Sequence, residues 1–296
     1  NNVRTSAESQ LATYRETNPL GYTQGLVSLV QKAENESVRA MSAVLLRRAL
    51  SMSQHSVLQH LSEEYTNSLS SELLNIIRNE TVRSIRHKLV YTVSAFLSTF
   101  VRQQKMPNLF PSLFQWSQEE SPVIRETSLL LIQHLSTYML GDGFKEHLGS
   151  LVQVLHNAMQ ENQPKEVQLA GLQTTTNLVL FLDKKSRAKF EHLTELMLQV
   201  LGRMLNRGEE ESAKSCIESF IEIAISKPRF FAKTAQFVAR AMLQIVRTET
   251  FNDEALRHTA MEWIVSLAES SASIVSNIPN FEKEIVPLCM QLIASV

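Results

Sequence analysis

Eight histidines, two cysteines and several glutamate pairs are the residues in this chain that could do chemistry. A hydrolytic zinc site needs two imidazoles one helical turn apart, as in HExxH, or His and Cys at close spacing. The histidines stand at 55, 60, 87, 134, 147, 156, 192 and 258 and form neither pattern. No GxSxG elbow, GxxxxGK[ST] loop or GxGxxG turn occurs. Gly141-Asp142-Gly143 is a lone turn. Glu63-Glu64 and Glu119-Glu120 open helical patterns, where the helix macrodipole alone accounts for them. Cys216 and Cys289 lie far apart within helical patterns and read as buried, reduced thiols. The 296 residues therefore call for no metal, no cofactor and no catalytic residue. An enzyme reading needs an active site outside them.

What recurs instead is an arginine. In Glu36 to Leu50, ESVRAMSAVLLRRAL, a Val-Arg pair opens a helical pattern, a small residue follows three positions on, and an aliphatic run leads to paired arginines. Similar openings place a polar residue at 4, 39, 86, 125, 168, 214 and 257, with gaps of 35, 47, 39, 43, 46 and 43. Three positions later stand Ala7, Ser42, Leu89, Ser128, Gly171, Ile217 and Ala260. A loose period in the forties without strand signals is the mark of a helical repeat array. The recurrent Arg or Lys either pairs with acidic or amide groups of a neighbouring repeat or snorkels into solvent.

Composition agrees. The chain is 44% hydrophobic with only eight Gly and eight Pro, so most of it is predicted to be regular helix. A formal net charge of −1 argues against a dedicated nucleic-acid surface. No apolar run approaches a membrane span, and no signal-peptide pattern stands at the start; the expected compartment is the cytosol or nucleus. Asn35-Glu36-Ser37 and Asn79-Glu80-Thr81 fit the glycosylation sequon but read as helix starts with a capping residue available. The chain begins without Met and stops inside a helical pattern, and it reads as a piece of something longer.

In order, the patterns predict one array over 1–296: a leading helix at 3–16, helix pairs at 19–53, 63–104, 107–140, 144–183, 186–226 and 228–272, and a trailing helix at 278–296. Each pair is an A helix followed by a B helix that carries the recurring opening. Pro122 sits near a helix start, where its missing N–H costs nothing. Pro228 is predicted to open an A helix, and Pro287 lies inside the last one. A pair buries only part of its apolar surface, and stacking buries the rest.

Several segments, taken in order, resemble the importin-beta family of nuclear transport receptors, most of all its karyopherin beta-3 branch (the importin-5/Kap121 type). ESVRAMSAVLLRRAL is similar to the second-repeat B helix of that family. SSELLNII followed by SIRHKL, then KMPNLFPSLF, IRETSLLLI, VQLAGLQTTTNLV, ESFIEIA and ALRHTAMEWIVSLAES, continue with similar spacing. The resemblance covers the whole chain and implies an all-α, HEAT-repeat, right-handed α-α superhelical solenoid spanning about repeats one to eight.

The resemblance also implies a function: a nuclear import receptor, not an enzyme, that shuttles between cytoplasm and nucleus through the nuclear pore complex. Its partners would be Ran in the GTP form on the concave N-terminal repeats (about 1–140), Phe-Gly nucleoporins on the convex face, and protein cargo with nuclear localisation signals, mostly beyond these residues. No membrane or direct nucleic-acid partner is implied. Arg47 and Arg48 occupy the family's basic or amide pair and are the leading Ran-facing residues; Arg86, His87, Lys88, Gln133 and His134 would extend that surface. Val154 and Leu198, apolar residues on otherwise polar outer stripes of A helices, would flank a nucleoporin phenylalanine. Two features depart from the pattern: the chain is nearly neutral where the family tends to be acidic, and Gln168 replaces the B-helix Arg in the fifth repeat. The competing reading is a HEAT scaffold or adaptor outside transport.

Overall fold

The computed structural model describes residues 2–51, 56–102, 106, 108–138, 145–248, 251 and 254–294. Gly141-Asp142-Gly143, His55 and Pro107 lie outside them. Among the described residues there is no strand. Helices alternate as the periodicity predicts: α1 (Asn2–Thr17), α2 (Pro19–Lys32), α3 (Glu36–Leu50), α4 (Glu63–Asn79), α5 (Arg83–Arg102), α6 (Leu109–Trp116), α7 (Pro122–Ser136), α8 (Leu148–Ala158), α9 (Lys165–Phe181), α10 (Leu193–Asn206), α11 (Glu210–Ser226), α12 (Ala235–Arg247), α13 (Glu254–Ser270) and α14 (Phe281–Ala294). This is the α-α repeat order of a HEAT solenoid. The chain divides into two compact units, Asn1–Trp116 with Leu130–Leu140, and Ser117–Leu129 with Gly141–Val296, so the partition falls inside α7.

In the first unit the helix starts are written locally. The Asn18 side chain accepts from the Gly21 N–H at 2.9 Å, with Pro19 in the first turn of α2. Asn35 accepts from Ser37 and Val38 at the start of α3, as the sequon reading expects. Asn79 does otherwise. It is the last residue of α4, and in the turn before α5 the Glu80 carboxylate accepts from the Val82 N–H at 2.8 Å. Buried Ser42, Ala43, Leu46, Ala49 and Leu50 make the core stripe of α3, and Leu69, Leu73, Ile76 and Ile77 that of α4.

The second unit has a larger aromatic core. Phe220 stacks on Phe231 with centroids 5.8 Å apart, and Phe231 meets Trp263 edge-on at 5.7 Å. Here the structure corrects the expected A helix at 228. Pro228–Phe231 form a single 3-10 turn, and α12 starts only at Ala235. Phe230 and Phe231 are both buried in this turn, so its two rings enter the core before the regular helix begins. Gly208 (φ 70°) ends α10 in a Schellman motif: its own N–H reaches the Leu205 carbonyl, and the Glu209 N–H reaches that of Met204. Gly171 lets α9 approach α8; a Cβ there would stand 3.0 Å from the Ala158 Cβ. In this repeat that close approach is the physical reason for a small residue three positions after the opening; Leu89 and Ile217 fill the same position in others.

In most B helices the recurrent polar residue does one of two jobs; Arg4 of the leading helix instead stays exposed and pairs with Glu8 of its own helix at 2.8 Å. Arg39 reaches the neighbouring repeat, pairing with the buried Glu80 carboxylate at 3.1 Å. Four others fold back on the segment that precedes their own helix. Arg86 donates to the Glu80 and Thr81 carbonyls, Arg125 to those of Glu119 and Glu120, Gln168 to those of Glu161 and Gln163, and Arg257 to that of Val246. Each long donor satisfies backbone carbonyls between the A helix and its B helix, or, for Arg257, in the last turn of the A helix. Gln168 does the work of an arginine because an amide N–H is donor enough.

A second device recurs six positions after that residue. The Thr92 hydroxyl donates to the Ala43 carbonyl of α3 at 2.9 Å in the first unit. In the second, the Thr174 hydroxyl donates to the Leu129 carbonyl of α7 at 3.1 Å. Both acceptors lie four positions after the preceding polar residue, Arg39 or Arg125. The pin therefore sets the same register between successive B helices in both units.

Candidate partner-binding face

Arg47 and Arg48 stand in the last turn of α3, where cations favour the negative end of the helix dipole. Both are exposed, and among the described residues no carboxylate forms an ion pair with either. Core packing takes Leu46, Ala49 and Leu50 and leaves this pair outward.

The Arg47 guanidinium lies 5.9 Å from the centroid of Tyr91 on α5, within cation–π range. The Tyr91 ring meets that of His134 on α7 at 4.6 Å. The structure therefore joins two expected residues, Arg47 and His134, through one that sequence reasoning passed over. The signal was present: Ile85, Leu89, Val93, Phe96, Leu97 and Phe100 define the buried stripe of α5, and Tyr91 is an aromatic residue off that stripe, 48% exposed. Burial pushes the His134 imidazole below its ordinary pKa, so it is neutral at pH 7.

The other expected residues divide. Lys88 is exposed one turn before Tyr91; His87 and Gln133 are half-buried. Arg86 is corrected: it is 3% exposed, and its guanidinium is spent on loop carbonyls, so it offers no charge to a partner. Val38 and Met41, both exposed on α3, add apolar area that the sequence reading did not name.

On the A-helix side, Val154 is also corrected. It is 4% exposed because α8 buries Leu151, Val154, Leu155 and Ala158 together, so it cannot flank an incoming ring. Leu198 on α10 is half-buried. Phe237 on α12 is 56% exposed and is the larger outward apolar residue in that region. Lys233 ties the start of α12 to Glu191, which precedes α10, at 2.7 Å.

Among the described residues, no group of three His, Cys, Asp or Glu could hold a metal ion, and no helix is long and apolar enough to cross a membrane. Burial pushes the Cys216 thiol up to about 12, which leaves it an unreactive packing residue at neutral pH.

Comparison with known proteins gives consistent matches. The family model described as "IPO5-like, TPR repeats" matches residues 81–241, more than half of the chain, and the "Importin repeat" model matches 249–296. A Dictyostelium discoideum protein called "Probable importin-5 homolog" is 23% identical over 292 residues, 98% of this chain and 27% of that protein. The crystal structure of Kap121p superposes with a TM-score of 0.82 at 21% identity, covering 97% of this chain and 27% of that one. Kap121p bound to Nup53p (0.81) and Kap121p bound to Pho4p (0.82) match at the same identity and coverage. The chain thus spans about a quarter of the length of these relatives. With the family model covering most of α5 to α12 and the stacked helix pairs found in the same order, this chain belongs to the importin-beta family, in its importin-5/Kap121 type.

Proposed function

We propose that the chain is part of a nuclear import receptor that binds Ran in its GTP form through the B-helix face carrying Arg47, Arg48, Lys88 and His134, with His87 and Gln133 at its margin. The observation that carries this reading is the exposed Arg47-Arg48 pair, without a carboxylate partner among the described residues, at the end of a helix whose packing does not need it. Membership of a transport-receptor family supports it and removes support from the enzyme and scaffold readings. Protein cargo with nuclear localisation signals binds mostly through sequence beyond these 296 residues, and the receptor shuttles between cytoplasm and nucleus. Kap121p is known bound to Pho4p, which supports a cargo role by likeness. If Ran and cargo oppose each other, the coupling is reciprocal, each weakening the other by the same factor.

Kap121p bound to Nup53p supports a nucleoporin partner. On this chain the Phe-Gly slot lies on the A-helix side at Leu198, with Val154 excluded by its burial.

The test is a titration with Ran loaded with GTP or GDP. The GTP form binds more tightly, and Arg47→Glu with Arg48→Glu weakens it by about tenfold or more, the scale of charge reversal at a complementary interface. Equal affinity for the two nucleotide states removes the Ran reading, and unchanged affinity of the variant removes the arginine assignment. Leu198→Asp reduces capture on immobilised Phe-Gly peptides; full capture by the variant rules the slot out.

A further inference from the structure

We propose that Tyr91 is a positioning residue for Arg47: its ring is the platform that holds the guanidinium ready for a partner. This rests on the reading that the face binds Ran, and four observations support it.

The buried stripe of α5 does not require Tyr91, which stands off that stripe and is 48% exposed. Among the described residues Arg47 has no carboxylate to hold it, and its guanidinium lies 5.9 Å from the Tyr91 ring. An unheld Arg side chain carries rotamer entropy, and part of it would be lost on binding. A ring that already restricts the guanidinium lowers this cost, and a planar guanidinium stacks where an ammonium would not.

The geometry is held from both sides. Thr92, the next residue, pins α5 to the Ala43 carbonyl of α3, which fixes the helix register and hence the Arg47–Tyr91 separation. On the other side the His134 ring packs at 4.6 Å. Burial favours its neutral form, so His134 supports the ring without competing for its electron density as a second cation. Lys88, one turn earlier on the same outward side, completes a basic surface with an aromatic centre.

Two measurements test this, and they fail separately. In the free chain, the Arg47 Nε–Hε resonance carries an upfield ring-current shift that Tyr91→Phe keeps and Tyr91→Leu abolishes. A resonance at the random-coil position in the wild type, or no change in Tyr91→Leu, overturns the contact whether or not Ran binds. With GTP-loaded Ran, Tyr91→Leu weakens affinity by about two- to fivefold, the range of a surface cation–π contact, and Tyr91→Phe restores it. The loss is absent in an Arg47→Ala background, because Tyr91 acts through Arg47. A loss that persists undiminished in that background overturns the positioning role. A wild-type chain that binds Ran equally in both nucleotide states overturns the Ran reading and leaves the resonance test to judge the platform.

Discussion

On the B helices α3 and α5 of the first unit, the exposed ionisable residues are Glu36, Arg47, Arg48, Arg83 and Lys88. On α11 and α13 of the second they are Glu211, Glu218, Glu222, Glu254, Glu262, Glu269 and His258. One face is basic with Tyr91 at its centre. The other is acidic, with exposed Ile225 and Val265. Inside, the units agree. Each has a threonine pin between successive B helices and a long donor folded onto loop carbonyls. The difference teaches where constraint lies in a repeat. Positions facing the next helix are bound by packing and hydrogen bonding, which every repeat must solve alike. Positions facing outward are bound by whatever they meet, so their charge can invert from one end of the chain to the other.

That contrast can be broken in steps. The largest effect is expected from Trp263→Ala, which empties a fully buried aromatic site against Phe231 and costs about 3–5 kcal/mol. It is read from the denaturant midpoint together with faster amide exchange in α11 and α13. Slower loss of protection there than in α3 and α5 would contradict a core centred on this cluster. Gly171→Leu follows, at about 1–3 kcal/mol of overpacking between α8 and α9, while Arg47→Glu in the first unit costs about 1 kcal/mol through the lost helix-end and ring interactions. The two threonine pins sharpen the claim of a shared interior. Thr92→Val and Thr174→Val are each expected to cost about 0.5–1.5 kcal/mol, by similar amounts; a cost at one pin alone would show that the units use them differently.

The smallest effect is a pH slope from His134. Its folded pKa is depressed by burial, so the unfolded chain binds the proton more readily. The contribution to stability is fully present above the unfolded value of about 6.5 and is lost as pH falls through the folded one. His134→Phe flattens that slope in urea titrations between pH 7.5 and 5.5. An identical slope in the variant would show that other groups produce it.

Much was determined by sequence alone. The period in the forties, the apolar stripes and the Asn35 cap are local or nearly local facts, and they predict the helices and their order. The outward Arg47-Arg48 pair is legible too, because helical phase separates it from Leu46, Ala49 and Leu50. Tertiary structure decided what depended on neighbours distant in sequence. Helical phase shows which residues leave a helix's own stripe, yet whether they reach solvent depends on the helices around them. Val154 is off the polar norm of its stripe but covered, and Arg86 looks like a surface cation but is consumed by the Glu80 and Thr81 carbonyls. Tyr91 acquires its place only when α3 and α7 bring Arg47 and His134 to its ring, across separations of 44 and 43 residues.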